Sequence, residues 1–482
     1  MRMGFGVTRI ITFIFVIFST GNLANANDNI ELLNSTLITK LHLDASPDRA
    51  QMLAAYQVSF RNKGDAPLEK VTILLNPGLQ VSKVLGAGGR KLQTRNRNAH
   101  IAGREPLRLN AVDITLASPL KHNSRREIVI HYAGSLEDLS LVGLPQSREV
   151  LHPTFTMLRA QGFAYPVFAR PEMQAIEAAW HGKPFHQVAF VEVNGNQKVV
   201  GNLAFAEKTI NSGKTNFELK STQPTGPLAL AIGDYDIGRN SGISTAYRGG
   251  QSAAATNIAT AVQTYAHSLT RKLGAPKSDA MLTILSVPDG YGSGHSEGLI
   301  YVEDSMFDAA TLTGDTDFAA KVRGAVRDMW LLNPSHSTGH WANGVDRFIL
   351  ASNTPSTDIL VFKEQLFGEV LALEAQNEKL GKTPLTDFTI EGFDAEADII
   401  NTLAFAVLHD LLGDEGFWGL TRQLRADLSA GYTDTSTVLD FLDRTLENRS
   451  AKKFVTNWFE KGRMGKDLAK AKTYAELVKR YR

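Results

Sequence analysis

The hydrophobic period of this chain changes once, near residue 240, and that switch limits what it can fold into more than any other feature. Before it, apolar residues alternate with polar ones: Tyr56, Val58 and Phe60, then Ile73 and Leu75, then Ile128 and Ile130. A period of two places such side chains on one face of β-strands. Phe190 to Val200 reads as a hairpin turning at Asn194-Gly195, and Asn211-Ser212-Gly213 marks another turn. After the switch the period is helical: Ile258, Val262, Tyr265 and Leu269 share one face, and Phe318, Val322, Val326 and Trp330 another. Helices follow at about 398–412, 415–429 and 436–448, and a short strand pair at Met281–Ser286 and Gly298–Val302 interrupts them. The Gly-, Ser- and Ala-rich stretch between the two textures reads as a linker. The expected class is α+β with several domains: an antiparallel β domain over 27–237, a linker over 238–252, and a mixed domain over 253–482 that ends in helices.

Residues 1–26 have the form of an export signal. Arg2 and Arg9 flank a short charged region, Ile10–Phe18 is apolar except for Thr12, and Ala24-Asn25-Ala26 is a small-residue cleavage site. No later segment reaches the run of about 20 apolar residues that a membrane span needs. The chain has no cysteine, which excludes a disulfide framework, thiol chemistry and a lipidated cysteine. An exported protein is expected, with a periplasmic destination preferred over an extracellular one. Cleavage after Ala26 leaves 49 basic against 50 acidic residues, a balance that argues against nucleic acid. Residues 451–482 are locally basic, with ten Lys/Arg and three Asp/Glu, the pattern of a solvated helix face or of docking on an acidic surface. Nothing in the sequence sets an oligomeric state.

Several segments then carry a resemblance. Phe163-Ala-Tyr-Pro-Val-Phe-Ala-Arg-Pro171 is similar to W-Y-P-C-F-D-E-P, and Pro227–Tyr235 to the strand that closes an N-terminal domain. Gly292-Ser-Gly-His-Ser-Glu-Gly-Leu-Ile300 is similar to the cleft strand G-A-M-E-N-W-G-L. Asp398–Gly413 followed by Asp414-Glu-Gly-Phe-Trp418 resembles a helix pair ending in L-L-G-D-x-x-F, and Phe454–Phe459 resembles F-x-x-x-W-F/L. Together these resemble the M1-type zinc aminopeptidases, a gluzincin family, over most of the chain. The resemblance implies that the second domain is thermolysin-like.

In that family two histidines of H-E-x-x-H and a glutamate from the next helix hold zinc, and the motif's own glutamate activates water. Matching on Trp330 puts Gly324 and Asp328 at the histidine positions and Ala325 at the base. The third ligand, in a W-x-N-E-G context, matches Gly344 after Trp341-Ala-Asn343, and the ungapped alternative is Arg347. No glutamate occurs between Asp304 and Lys363, and no histidine in the chain is followed by glutamate. The oxyanion-stabilising tyrosine matches Asp398, and the acid that binds the substrate amine matches His295. The resemblance therefore implies an inactive pseudopeptidase with no cofactor, which binds a peptide or protein in the former cleft. Gly292, Gly294, His295, Glu297, Trp330, Trp341 and Asn343 are the cleft-lining candidates, with core packing the ordinary alternative for the tryptophans.

Two other readings stay open. A metallopeptidase with a rebuilt zinc site would use His295, His336 and His340, although Asn333-Pro334-Ser335 and Gly339 make a loop there, where i,i+4 spacing has no meaning. Alternatively the chain is a structural subunit of an envelope assembly, docked through its β domain and basic C-terminus. His181, His186 and His409 read as structural. Gly292-Ser293-Gly294 lacks the spacing of a serine nucleophile elbow, and Gly86-Ala87-Gly88-Gly89 lacks the ending of a phosphate loop and reads as a turn.

Overall fold

The computed structural model describes residues 29–482 except 47, 48, 146, 181, 212, 223, 241, 242, 277–281, 297, 309–325, 327–329, 331–339, 354–357, 389–393 and 430–434. The first half is built of strands: β1 (Ile30–His42), β2 (Gln51–Asn62), β3 (Leu68–Leu75), β4 (Leu79–Leu85), β5 (Gln93–Ile101), β6 (Arg104–Leu120), β7 (Arg125–Gly134), β8 (Phe155–Arg159), β9 (His186–Asn194), β10 (Lys198–Gly201), β11 (Ala204–Asn211), β12 (Lys214–Lys220) and β13 (Ala229–Gly233). A short helix, α1 (Met173–Trp180), lies among them. The alternation seen in the sequence is the cause: Met52, Ala54, Tyr56, Val58 and Phe60 of β2 are buried while their neighbours face outward.

A seven-stranded sheet runs β11-β12-β9-β1-β2-β7-β4, beside three-stranded sheets β3-β6-β5 and β10-β13-β8. Two details differ from the sequence reading. The domain is not wholly antiparallel, because β1 and β9 pair in parallel. Phe190–Val200 is not a hairpin: after the Asn194-Gly195 turn the chain leaves the large sheet, and β10 pairs with β13 instead. The turn at 211–213 does join paired strands, β11 and β12.

The second half opens with β14 (Asp236–Asn240) and β15 (Ile243–Tyr247), which pair with each other. They continue into β16 (Leu282–Val287), β17 (Gly294–Ser296) and β18 (Leu299–Glu303), giving the sheet β14-β15-β16-β18-β17. The stretch expected to be a linker is thus largely a strand pair, and the sheet of the second domain begins at Asp236. Gly238 sits opposite Thr245 in this pair, where an added Cβ would lie 2.6 Å from Thr245 Oγ1 and that side chain would have to turn away. β15, β16 and β18 run parallel and are buried at successive positions, as strands covered on both faces are.

The helices are α2 (Ser252–Leu273), α3 (Asp304–Asp308), α4 (His340–Asn353), α5 (Ile359–Gln376), α6 (Asp394–Ser429), α7 (Thr435–Thr445), α8 (Arg449–Val455), α9 (Met464–Leu468) and α10 (Tyr474–Lys479). α2 buries Ile258, Val262, Tyr265 and Leu269, the expected stripe. α6 breaks at Gly413, whose φ of 72° is open to glycine and costly for other residues, so it is two helices end to end as the sequence implied. No helix among the described residues is long and apolar enough to cross a membrane.

Each half has its own apolar core, and a third cluster seals the joint between them. In it Phe155, Met157, Ala229, Ala231 and Tyr235 pack on Ala246, Leu285, Val287, Leu299 and Tyr301. Burial of each such large side chain stabilises by about 1.5–3 kcal/mol, so the seam fixes the sheet that carries the site.

Candidate functional site

The glycine-rich segment at 292–300 forms β17 and its turn. Gly292 has φ 77°, and a Cβ on Gly294 would run into the Tyr301 hydroxyl. Glu303 Oε1 accepts from the Gly290 and Gly292 amides at 2.6 and 2.8 Å, and Ser293 Oγ accepts from Glu303 N at 3.1 Å. Among the described residues β17 pairs only with β18, so one side of its backbone is the edge of the five-stranded sheet. His295 lies on this edge strand, in register with Ile300.

Behind β17 lies a buried ionic support that sequence reasoning missed. Arg159 and Glu149, both 1% exposed in their side chains, form an ion pair, and Arg159 donates to Tyr301 Oη at 2.7 Å while its guanidinium lies 5.1 Å from that ring's centre. Burial pushes the Glu149 carboxyl up from its usual range, and the Arg159 charge offsets part of that. The pair ties β8 of the first domain to β18 of the second.

Of the positions matched to zinc chemistry, Gly344 and Asp398 lie where α4 crosses α6. Asn343 is exposed and donates from Nδ2 to Asp398 Oδ1 and Oδ2 at 3.1 and 3.3 Å. One turn of α6 farther on, Gly344 is pressed against the backbone: a Cβ would lie 2.5 Å from Asn401 Cβ, 2.6 Å from Asn401 C and 2.8 Å from Thr402 N. No side chain of any kind fits at 344 without parting the two helices. Arg347 Nη2, the alternative match, lies 3.8 Å from Glu369 Oε2 at the surface.

The tryptophans are core residues rather than cleft lining. Trp330 is 3% exposed and donates to Gly274 O at 2.9 Å. Trp341 is 2% exposed within the same core, on the buried side of α4 opposite to Asn343, and its indole N–H has no partner among the described residues. A period of 3.6 decides this: positions 341 and 343 fall on different faces of one helix, so both cannot line one cleft. His340, read from sequence as loop, opens α4. Gly324, Ala325, Asp328, His336, Glu297 and His181 lie outside the described residues. His186 opens β9 on the surface, away from this crossing.

A second cluster, also missed, surrounds the other end of the first half of α6. Lys363 on α5 is 2% exposed and donates to Asp410 Oδ1 at 2.7 Å. Tyr474 of α10 donates to Asp410 Oδ2 at 2.7 Å, and His409 Nδ1 lies 3.1 Å from Asp410 Oδ1 with its Nε2 2.7 Å from Asp414 Oδ1. Burial works to raise the Asp410 carboxyl, but hydrogen bonds from His409, Lys363 and Tyr474 and the Lys363 charge outweigh it and hold it well below the usual carboxylate range. Burial and the Asp410 charge push the Tyr474 hydroxyl far up. The sequence signal was a lysine directly after four apolar residues, since α5 opens Ile-Leu-Val-Phe-Lys from residue 359. His409 is thus held between Asp410 and Asp414.

No protein-family model and no curated protein matches the sequence. Solved structures do. The M1 zinc metallopeptidase from Deinococcus radiodurans matches with a TM-score of 0.60 at 15% identity, over 90% of this chain and 95% of that one. A mutant of it bound to a Tyr-Ser-Ala substrate matches at 0.59 and 16%, again over 90% and 95%. Native yeast LTA4 hydrolase matches at 0.58 and 12%, over 90% of this chain and 68% of its own.

A zinc ion held in the usual way of these enzymes does not fit the residues present. At the expected acid-ligand position the α6 backbone occupies the space a carboxylate would need, and Asp398 is hydrogen-bonded to Asn343. Among the described residues, no three His, Asp or Glu side chains are gathered as a metal site. What is shared is architecture: the chain has the fold of the M1 zinc metallopeptidases.

Proposed function

We propose that this chain is an exported peptide-binding protein which keeps the M1 metallopeptidase architecture without zinc hydrolysis. The observation that carries the reading is the fit of Gly344 against Asn401 and Thr402, which leaves no volume for the third ligand. With no side chain at 344 to hold a metal or take a proton, the exposed side of the crossing of α4 and α6 presents the Asn343–Asp398 pair. Binding rests on β17: its outer N–H and C=O groups accept an extended peptide by strand addition, and Gly292 and Gly294 keep the approach clear of side chains. Arg159 and Glu149 hold the strand from behind, so the edge is preorganised. Export rests on the leader-like segment 1–26.

Calorimetric titration with the tripeptide Tyr-Ser-Ala, followed by mass analysis of the recovered peptide, tests this directly. Saturable binding with the peptide intact is expected. Release of free tyrosine that a chelator stops, or no binding at all, would overturn it. Processing after Ala26 with recovery in the periplasmic fraction checks the compartment, and an uncleaved cytosolic chain would contradict it.

A further inference from the structure

Among the described residues the five-stranded sheet has a second unpaired edge, on β14, at the side opposite to β17. Near it a cavity of about 450 Å³ lies between β11, the outermost strand of the seven-stranded sheet, and one face of this sheet, lined there by Ile237 and Arg239 of β14, Ser244 of β15 and Thr283 of β16. The floor is apolar, formed by Val199, Leu203, Phe217 and Leu219, and two large apolar side chains stand half-open at its mouth, Phe205 at 48% and Ile237 at 45% exposed. Three cations surround it, Lys198, Lys208 and Arg239, and no acidic residue lines it among those described.

The charge is sorted rather than incidental. On β11 the neighbouring residues Lys208 and Glu207 serve opposite faces: Lys208 faces this cavity, with Nζ 5.7 Å from the centre of the Phe217 ring, while Glu207 joins Glu192 and Glu218 around a separate hollow. Some other surface lysines are paired, as Lys183 is with Glu31, Lys214 with Glu192 and Lys382 with Glu378. Lys198, Lys208 and Arg239 have no carboxylate partner among the described residues.

We propose that this wedge between the two sheets is a second recognition site, which takes an extended acidic segment of a partner polypeptide. Acidic side chains meet Lys198, Lys208 and Arg239, and apolar ones between them cover Phe205 and Ile237. Among the described residues β11 and β14 are the outermost strands of their sheets beside this cavity, and the amide and carbonyl groups of such edges are ones a polypeptide matches and a fatty acid does not. The five residues of β14 span roughly 17 Å, the length of an ordinary short strand pairing. The site is separate from the β17 edge and does not depend on the reading given for it.

The test is fluorescence anisotropy with a labelled peptide of alternating glutamate and valine, against the same peptide with lysine for glutamate. The glutamate peptide should bind about tenfold or more tightly than the lysine one. Lys208→Glu combined with Arg239→Glu should cost a similar factor, as should N-methylation of alternate peptide bonds. Titration of Tyr-Ser-Ala should be unchanged in the double variant, so the two sites fail separately. Equal binding of both peptides would overturn the proposal. So would displacement by palmitate with no effect of N-methylation, which would mark a lipid site, or a dimer that the double variant dissolves, which would mark a second copy of this chain. If the variant does not fold, salt decides on the unaltered protein: affinity for the glutamate peptide must fall steeply with ionic strength, and a flat response refutes the site.

Discussion

The first half of α6 carries two very different crossings, one at each end. Around Asn401 its backbone is in contact with Gly344 of α4, with no room for a side chain between the helices. Around Asp410, less than three turns on, it spreads apart to admit Lys363, His409 and Tyr474 in a hydrogen-bonded cluster. The family's chemistry belongs at the first, yet the buried ionisable groups stand at the second. Ionisable residues in this chain thus hold elements together, α5 and α10 to α6 at one point and β8 to β18 at another, while the crossing matched to the family's zinc ligand is closed by packing.

The largest expected effect sharpens that contrast by breaking an ionic support. Arg159→Ala leaves Glu149 buried without its partner and should cost about 3–5 kcal/mol in urea unfolding. Arg159→Met, which fills the space, should still leave Glu149 uncompensated, whereas Arg159→Met with Glu149→Leu should recover much of the loss.

Asp410→Asn should cost toward the lower end of the same range of about 3–5 kcal/mol, because it strands Lys363 beside Phe348 and Tyr474. It also predicts a pH effect with a definite sign. A carboxyl held below its unfolded pKa of about 3.9 contributes stability that is complete above that value and is lost as pH falls through it toward the folded one. The native protein should therefore lose stability more steeply than Asp410→Asn below about pH 4, measured as denaturation midpoints across pH.

At the closed crossing the effects should be steric. Gly344→Ala forces a methyl group against Asn401 and should cost about 1–3 kcal/mol, with Gly344→Glu worse and unable to recruit zinc. Thermal unfolding with and without added zinc reads this; a Glu variant stabilised by zinc would break the comparison. The smallest effect belongs to Asn343→Ala, since the Asn343–Asp398 pair is exposed: a change within about 0.5 kcal/mol.

How far the sequence spoke follows from what kind of information each feature carries. Alternation in β2 and the stripe on α2 are local, and both elements formed as read. Gly413 announced the break in α6 because only a left-handed residue is needed to make it. The 238–252 stretch misled because small residues serve loose linkers and close strand pairs alike, and only the contact of Gly238 with Thr245 tells them apart. Asn194-Gly195 gave the turn and not the partner, since pairing of β10 with β13 depends on residues some 30 positions away. At the candidate site the losses at 344 and 398 were legible residue by residue, but that Gly344 is sealed by the α6 backbone was not. Trp341 was assigned to the cleft by its motif context, although its place two residues, about 200° of helix, from Asn343 already pointed it to the opposite face. The Glu149–Arg159–Tyr301 and Lys363–Asp410–Tyr474 groups join positions far apart in the chain, and no local pattern marks them.

The central claim is that the M1 architecture here stands without its zinc site. Metal content of the purified protein, prepared from zinc-supplemented cells without chelators, tests it most directly. The account predicts zinc far below one ion per chain. A value close to one, lost together with peptidase activity on replacement of His295, His336 or His340, would contradict it.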